Sequence, residues 1–512
     1  MIVDSVRHTS LRPTGKAPCP TTSTCGARSY NRVKRSIDTF RETECPVAAT
    51  NAKLVCVSVL PNQRTKVRPG PLLAVWAVWF FMLLAMGLTQ PTETIVWAIV
   101  LFCTAVISLI LLMVESPLGL ILVLGFLQRV LWLWLDLQTG VPVFSSGADT
   151  EDFYATAIDI YNNPALLAEP LRLGMFSKPA ALMFLLAGPH RVIVQFTNVL
   201  LGTSTPVLLA RTLSMFRVRE RTVNIVVGVM ALMPIGAVLQ SIFLREAAVG
   251  FFVAVSVYGF ALYLTKGSIP GILLALGGLA AGSYFHAGVI GMAIGYLVAI
   301  LLYDWQTGRL NLSLNRLVIA VPITGVFSAL LIVFSDQFLG KFSNVESVDD
   351  IVDTAARSVG GSAYSDGGGG FSSQVFSRML NFIGSPFPWQ WRGLEDIVAF
   401  TLDASIFIAL TVLVVMGLRS SPSRMKSLLA VFTVTLVGAL FLFAVGTGNA
   451  GTAMRHRQKI IMPFAVAAAL AFEARGSTGR KIQGESESTL ITIDLSPTQS
   501  PQRGTLEAVN LQ

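Results

Sequence analysis

The sequence predicts an all-α membrane protein, a polytopic bundle of about twelve transmembrane helices with two long loops on one face. Composition leads to this fold class first, because 53% of the 512 residues are hydrophobic and only 13% are charged. Charged residues make up about 25% of an ordinary globular domain. Apolar runs long enough to cross a bilayer as helices also recur between residues 72 and 474. None of these runs alternates with a period of two, so helices are favoured over strands.

The apolar runs define the helices in chain order, since each is bounded by polar residues, glycine or proline. The predicted spans are residues 72–88, 94–114, 117–135, 189–210, 223–242, 247–265, 270–285, 287–303, 317–334, 396–417, 427–446 and 459–474. Two long polar stretches, 136–188 and 335–395, are left between spans and are interpreted as loops. Stretches of this length in a compact domain usually have a functional role.

Basic residues set the predicted orientation, because Lys and Arg concentrate in short cytoplasmic connections. Three connections fall on one side under this count, and they carry Arg211, Arg217, Arg219 and Arg221; Arg309 and Arg316; and Arg419, Arg424 and Lys426. We therefore predict a multi-pass protein of the cytoplasmic (inner) membrane with both termini in the cytoplasm and loops 136–188 and 335–395 outside. The net charge of +9 then reflects topology and attraction to membrane lipids, and no nucleic-acid partner is expected.

Polar tails flank the predicted transmembrane domain, which covers residues 69–475. Residues 1–68 form a basic tail and residues 476–512 a second polar tail, and neither has a sustained apolar period. Both are predicted to be disordered and cytoplasmic. Cys19, Cys25, Cys45 and Cys56 in the first tail match no metal-binding spacing, so no chemistry is assigned to them.

The segment "GTAMRHRQK", residues 451–459, lies on the predicted outer side, where cations are disfavoured. It carries Arg455, His456, Arg457 and Lys459. Anchoring of long side chains at the membrane surface is one interpretation. Anion binding is the other, because a guanidinium group recognises phosphate through a planar fork of donors. We favour anion binding, since three cations within five residues exceed what anchoring requires.

Carboxylates occupy the first outer loop, where "GADTEDFYATAIDI" follows a membrane exit. Asp149, Asp152 and Thr156 fall on one face of a helix, and Glu151 lies between them in sequence. Asp149 could serve as a helix N-cap. Carboxylates at the mouth of a membrane cavity could also provide a general base or a cation site, and the two roles are compatible.

Two further ionisable sites lie on the same predicted face. Arg245 and Glu246 interrupt the apolar stretch "SIFLREAAVGFF", and His286 stands between two spans in "SYFHAGVI". The pair could mark an interfacial helix start, and the histidine could be a hydrogen-bonded packing residue. Ionisable residues at such depths usually face a wet cavity or the protein interior, however. Their coincidence on one face favours a shared site.

The second outer loop contains a flexible part and a stiff part. Gly367 to Gly370 are interpreted as a hinge or flexible lid, because fixing the backbone of four successive glycines has a large cost in conformational entropy. Trp389 and Trp391 follow in the segment "SPFPWQWRG". They could form part of an interfacial aromatic belt, or offer flat apolar faces to sugar rings or a lipid stem.

Three of these segments together carry a resemblance. "FLREAAVGFF" opens a span with an Arg-acidic pair, "SYFHAGVI" closes a later one with a Phe-His-small motif, and "GTAMRHRQKIIMPF" places an Arg-rich segment before a proline-containing last helix. This pattern resembles Wzy-type and EpsG-like polysaccharide polymerases and, more loosely, membrane glycosyltransferases of the GT-C class. The acidic loop "GADTEDFYATA" is similar to the first outer loop of such proteins. The resemblance covers residues 72–474.

The resemblance implies glycan-chain assembly at the extracytoplasmic face, in exopolysaccharide, O-antigen or cell-envelope synthesis, from a sugar or oligosaccharide on polyprenyl (pyro)phosphate. Arg455 and Arg457, with Arg245, would hold the phosphate. Asp149 or Glu151 would take the proton of the attacking hydroxyl, with His286 as the reserve base. The remaining substrate-binding candidates are Glu246, Trp389, Trp391 and Lys459. No cofactor or metal is required, although the acidic loop could hold a divalent cation. Other polysaccharide-assembly proteins could be partners.

Two alternatives remain open at the level of sequence. A lipid-linked oligosaccharide flippase or polysaccharide transporter would place polar residues along the depth of the bundle and carry a weak inverted repeat. Inspection finds no such repeat and few charges on the inner half of the spans. A non-catalytic scaffold in an envelope assembly complex would leave the outer acids and cations dispensable.

Overall fold

The computed structural model describes residues 69–114, 117–139, 147–171, 173–311, 371–447 and 449–490, with scattered residues between 318 and 329. All of them belong to one unit, Gln63–Gln512. The predicted tail 1–68 and the glycine run 367–370 lie outside the described residues, and the predicted span 317–334 lies mostly outside them.

The described chain is built almost entirely from helices. Those before residue 240 are α1 (Gly70–Thr89), α2 (Glu93–Leu112), α3 (Leu118–Thr139), α4 (Gly147–Asn162), α5 (Gly174–Ala187), α6 (Arg191–Met215), α7 (Glu220–Leu232) and α8 (Pro234–Leu239). A short 3-10 turn, Pro164–Leu167, separates α4 from α5.

The later elements include one small antiparallel ribbon, in which Tyr303 faces Leu310. In order they are α9 (Glu246–Lys266), α10 (Ile269–Phe285), a 3-10 turn (Ala287–Gly291), α11 (Met292–Leu302), β1 (Tyr303–Asp304), β2 (Arg309–Leu310), α12 (Phe371–Gly384), a 3-10 turn (Pro388–Gln390), α13 (Leu394–Ala399), a π-helical segment (Phe400–Ala404), α14 (Ser405–Ser420), α15 (Ser423–Val445), α16 (Ala450–Lys459) and α17 (Ile461–Leu490).

The predicted all-α bundle with apolar spans is confirmed. Seven helices in the described part are long and apolar enough to cross a membrane: α1, α2, α3, α6, α9, the continuous stretch Leu394–Ser420, and Met425–Val445 within α15. The predicted count of twelve stays a prediction. The stretches predicted as loops contain helices, since α4 and α5 lie within 136–188 and α12 lies within 335–395. Helix α17 also continues past residue 475, where the disordered tail was predicted to begin.

The predicted span 223–242 is interrupted at Met233, because Pro234 lacks the amide hydrogen that a continuous helix needs. Arg129, which is buried in α3, compensates for this break. Its Nη1 donates to the carbonyls of Ala231 (2.7 Å) and Gly125 (2.8 Å), and its Nε and Nη2 donate to Gln240 Oε1. Backbone carbonyls freed inside a membrane bundle must be satisfied by other protein groups, and Arg129 does so here.

Helices α9 and α10 form a hairpin whose backbones approach closely through small residues. A Cβ atom added at Gly278 would lie 2.6 Å from the Ser256 nitrogen, so this position requires glycine. Ser256 Oγ donates to the carbonyl of Ala275 at 2.8 Å across the same contact. Small residues are the usual means by which membrane helices pack without large side chains.

The bundle has two chemically different ends. Asn198, near the start of α6, donates to the carbonyls of Ile242 (2.8 Å) and Leu244 (2.9 Å), just before α9 begins. The arginines after α6 therefore lie at the opposite end of the helix. There Arg219 pairs with Glu473 of α17 at 2.6 Å. Hence α17 runs from α16 towards this arginine-rich end, while the starts of α6 and α9 lie at the other end.

Candidate functional site

A cavity of about 660 Å³ opens at the end of the bundle where α9 begins and α10 ends. Volumes of a few hundred to a thousand Å³ are typical of small-molecule sites. Helices α4, α15 and α16 complete its walls. The polar lining consists of Asp149, Asp152, Thr156, Asp159, Arg245, His286, Arg455 and His456. The apolar lining includes Leu171, Leu173, Met175, Phe285, Leu442 and Phe443.

Helix α4 supplies the carboxylates. Asp149, Asp152, Thr156 and Asp159 are spaced by three or four residues, so they share one face of the helix, and all four line the cavity. The neighbouring face carries Phe153, Ala157 and Ile160, which are buried in a hydrophobic cluster with Phe176, Phe184 and Phe243. The common face predicted for Asp149, Asp152 and Thr156 is confirmed. Asp159 was missed, although the same spacing extended by one step would have found it.

Arg455 connects the carboxylates of two elements. Its Nη1 pairs with Asp149, and its Nε and Nη2 donate to Glu246 Oε1 at 3.1 and 2.9 Å. Burial lowers the pKa of Arg455, but Glu246 and Asp149 outweigh this effect and raise the pKa above its usual value. Helix α16 can present Arg455 in this way because Asn449 caps its first turn, accepting from Thr452 N at 2.6 Å. Arg455 is therefore a permanently charged group at the cavity wall.

Arg245 lies at the N-cap of α9, beside the same cluster. Its Nη1 donates to the carbonyl of Phe285 at 3.0 Å, and its guanidinium carbon lies 5.9 Å from the centre of the Phe153 ring. Burial lowers the pKa of Arg245, and Glu246 offsets part of this effect. Arg245 and Arg455 thus bring two cations to one cavity from distant parts of the chain.

Two histidines meet in the cavity wall. His286 Nε2 lies 3.1 Å from His456 Nε2, and His456 Nδ1 lies 2.9 Å from Thr447 Oγ1. The Phe443 ring stacks on the His286 ring, with centroids 4.8 Å apart and an interplanar angle of 16°. His286 therefore does line the site as predicted, and its neighbour His456 is a further polar group that the sequence analysis did not select.

Two predicted site residues, Glu151 and Arg457, are held in ion pairs outside the cavity lining. Glu151 pairs with Arg191 at 2.7 Å on the exposed side of α4. Arg457 is completely buried, where its Nε donates to Asp403 at 2.7 Å and its Nη1 to the Phe382 carbonyl at 2.7 Å. Neither residue is among those that line the cavity. The base role of Glu151 and the phosphate role of Arg457 stay predictions.

Lys459 and Glu246 are buried and are not among the residues that line the cavity. Lys459 Nζ is 3.4 Å from Glu246 Oε1, and both side chains are almost fully buried. Glu246 therefore holds Arg455 through an ion pair and is also the counter-charge of Lys459. The role of Glu246 and Lys459 in substrate binding stays a prediction, and in this structure Glu246 contacts both Arg455 and Lys459.

The predicted aromatic segment also lies away from the cavity lining. Trp389 is 78% exposed, and its ring stacks on Phe387 with centroids 4.7 Å apart. Trp391 Nε1 donates to the carbonyl of Pro386 at 3.2 Å. Neither tryptophan is among the residues that line the cavity with the acids and cations. The segment between α12 and α13 is thus separate from the site.

No group of three or more His, Cys, Asp or Glu side chains in the described ranges is arranged to hold a metal ion. No protein-family model, characterised protein or solved structure gave a significant match to this chain. The fold and composition define the class of the protein as an all-α bundle whose apolar helices are suited to a membrane.

Proposed function

We propose that this protein is a membrane glycosyltransferase of the polysaccharide-polymerase kind, acting on glycans carried by polyprenyl (pyro)phosphate at the extracytoplasmic face. One observation carries the proposal: a single cavity combines two arginines with carboxylates, histidines and an apolar wall. Exopolysaccharide, O-antigen or other cell-envelope glycan synthesis is the corresponding process. The cavity lies at the end of the bundle opposite Arg219, which agrees with an outward-facing site if the arginine-rich end is cytoplasmic.

The lining suits an amphipathic, phosphorylated substrate. Arg245 and Arg455 supply cationic donors for phosphate, and Leu173, Met175 and Phe443 supply apolar surface for a lipid stem. The Arg455 contact with Asp149 is the exchangeable one, because the Asp149 side chain is 55% exposed whereas Glu246 is buried. A substrate phosphate would take the place of Asp149 on Nη1 of Arg455.

The proposed reaction is attack of an acceptor sugar hydroxyl on the anomeric carbon of the donor. The hydroxyl oxygen forms the new glycosidic bond, the bond from the anomeric carbon to the phosphate oxygen breaks, and its electron pair leaves with the phosphate. Arg455 and Arg245 stabilise the charge that develops there. His286 accepts the hydroxyl proton, since its imidazole lines the cavity and Glu151 lies outside the lining.

The test replaces Arg455 by alanine and compares it with Arg392→Ala. Arg392 is a matched control, because it pairs with Asp396 at a half-exposed position outside the cavity lining. In cells lacking the native protein, Arg455→Ala should abolish long glycan chains and leave lipid-linked repeat units at the outer face. Arg392→Ala should restore normal chains.

Three outcomes would overturn the proposal. Chains of normal length in Arg455→Ala, with the protein inserted and abundant, would show that the cavity is not the polymerisation site. Repeat units accumulating at the inner face would instead indicate a flippase. Normal glycan chains in a variant that lacks both the Arg455 and the Asp152 side chains would favour the non-catalytic scaffold.

A further inference from the structure

A continuous line of hydrogen bonds runs through the two cavity histidines. We propose that His456 and Thr447 are positioning residues that fix His286 in one tautomer and direct an incoming proton to its Nδ1. The assignment of His286 as the base rests on the proposed function, whereas the tautomers follow from the hydrogen-bond geometry alone.

Backbone groups at both ends determine the direction of the line. At one end the Gly288 amide, which can only donate, lies 3.3 Å from His286 Nδ1. At the other end the Phe443 carbonyl, which can only accept, lies 2.6 Å from Thr447 Oγ1. Thr447 therefore donates to Phe443 and accepts from His456 Nδ1–H at 2.9 Å.

These contacts are consistent with one arrangement of hydrogens on the two neutral imidazoles. A neutral imidazole has one N–H group, so His456, protonated on Nδ1, accepts at Nε2. His286 must carry its hydrogen on Nε2 and donate it to His456 across 3.1 Å. This leaves Nδ1 as the basic nitrogen of His286. With the hydrogen of His286 on Nδ1 instead, that N–H group would face the N–H group of Gly288, and neither could accept.

Only one nitrogen can gain a proton while the bonds among the three side chains persist. A proton on His456 Nε2 would break the bond between the rings, whereas a proton on His286 Nδ1 displaces the 3.3 Å contact from the Gly288 amide and leaves the bond between the rings in place. The imidazolium formed in this way keeps its Nε2–H on His456. His456 thus supports the charged state of His286, as an acceptor orients a catalytic histidine in hydrolytic triads.

Three elements bring these residues together. His286 follows α10, Thr447 follows α15, and His456 belongs to α16. The Phe443 ring stacks on His286 and also contacts the His456 ring, with centroids 5.3 Å apart. Rotation of either imidazole is therefore restricted, and the relay is built into the cavity wall.

The direct test reads the tautomers by NMR, without any substrate. The full chain has four histidines, so ¹⁵N-histidine labelling of the protein in lipid nanodiscs gives few imidazole signals. We expect His286 to be protonated on Nε2, His456 on Nδ1, and a scalar coupling to connect the two Nε2 atoms. Thr447→Ser should keep this pattern, because it retains the hydroxyl. Thr447→Val should lose the coupling and the His456 tautomer.

The outcomes separate the relay from the proposed function. Protonation of His286 on Nδ1, absence of the coupling in the unmodified protein, or equal spectra for the serine and valine variants would each overturn the relay. In chain-extension assays His286→Gln should lose about 10²- to 10⁴-fold in rate. Thr447→Val should lose part of this and Thr447→Ser none. Normal extension by Thr447→Val would refute the positioning role even if the tautomers are as expected. Normal extension by Arg455→Ala would refute the function and leave the tautomers untouched.

Discussion

Replacement of Glu246 by glutamine should destabilise the protein strongly, although the two side chains have nearly the same shape. Glu246 Oε1 lies 2.9 Å from Arg455 Nη2 and 3.4 Å from Lys459 Nζ. The other oxygen, Oε2, accepts no hydrogen bond within the described part of the chain. A glutamine amide group in its place would therefore break no existing bond. The substitution removes the negative charge and little else.

The expected loss follows from the distances and from burial. At an effective dielectric constant of about 20, each of these two contacts corresponds to an attraction of about 5 kcal/mol. Desolvation offsets much of this attraction in the intact cluster. Removing the anion leaves Lys459, only 1% exposed, without its counter-charge. Breaking a buried ion pair from one side costs about 3–5 kcal/mol.

The assay is equilibrium unfolding in mixed micelles, with Glu151→Gln as the matched control. The Glu151 side chain is 62% exposed in its pair with Arg191, so its loss should cost less than about 1 kcal/mol. A second variant, Glu246→Gln with Lys459→Met, removes the stranded cation and should recover part of the stability. Wild-type stability of Glu246→Gln, or no recovery in the double variant, would refute the reasoning.

Two other predictions concern packing and the fate of the predicted site residues. Gly278→Ala should lower the yield of folded protein and its melting temperature, because the added Cβ would lie 2.6 Å from Ser256 N. Gly277→Ala is the control, since a Cβ there meets no atom within 4 Å, and its melting temperature should be unchanged or higher. Equal melting temperatures of the two variants would contradict the α9–α10 contact. Trp389→Ala should leave glycan chain length normal in the cellular assay, since the ring is exposed and outside the cavity lining. Shortened chains would show that Trp389 does contribute to the site.

The cationic segment shows where inference from sequence succeeded and where it stopped. Arg455 was correctly expected to lie near Asp149, Arg245 and His286, because all were assigned to one face by counting spans. No secondary structure was predicted for this segment, however, and residues Ala450–Lys459 form helix α16. Side chains two positions apart on a helix point about 200° apart. Arg455 therefore faces the cavity and Arg457 points into the bundle towards Asp403. Asn449 as an N-cap was the available signal.

The prediction for α4 fared better for a physical reason. A helix with an apolar face beside an acidic one carries its orientation in its own spacing. Phe153, Ala157 and Ile160 are buried, and Asp149 and Asp152 face the cavity. This orientation could be predicted without knowledge of any other helix. Glu151, one position from that face, was placed correctly on the helix but points to Arg191.

Hydropathy and helical period are local properties of the chain, so they were enough to establish a helical membrane protein and an acidic helix face. Partnerships across the bundle depend on how each helix is rotated and on which helices are neighbours, and neither property is written in a short stretch of residues. His286 meets His456 across 170 positions, and Arg455 meets Glu246 across 209. Packing of α9, α10, α15 and α16 selected these pairs, because burying a charge or an imidazole is stable only where a complementary group lies within hydrogen-bonding distance.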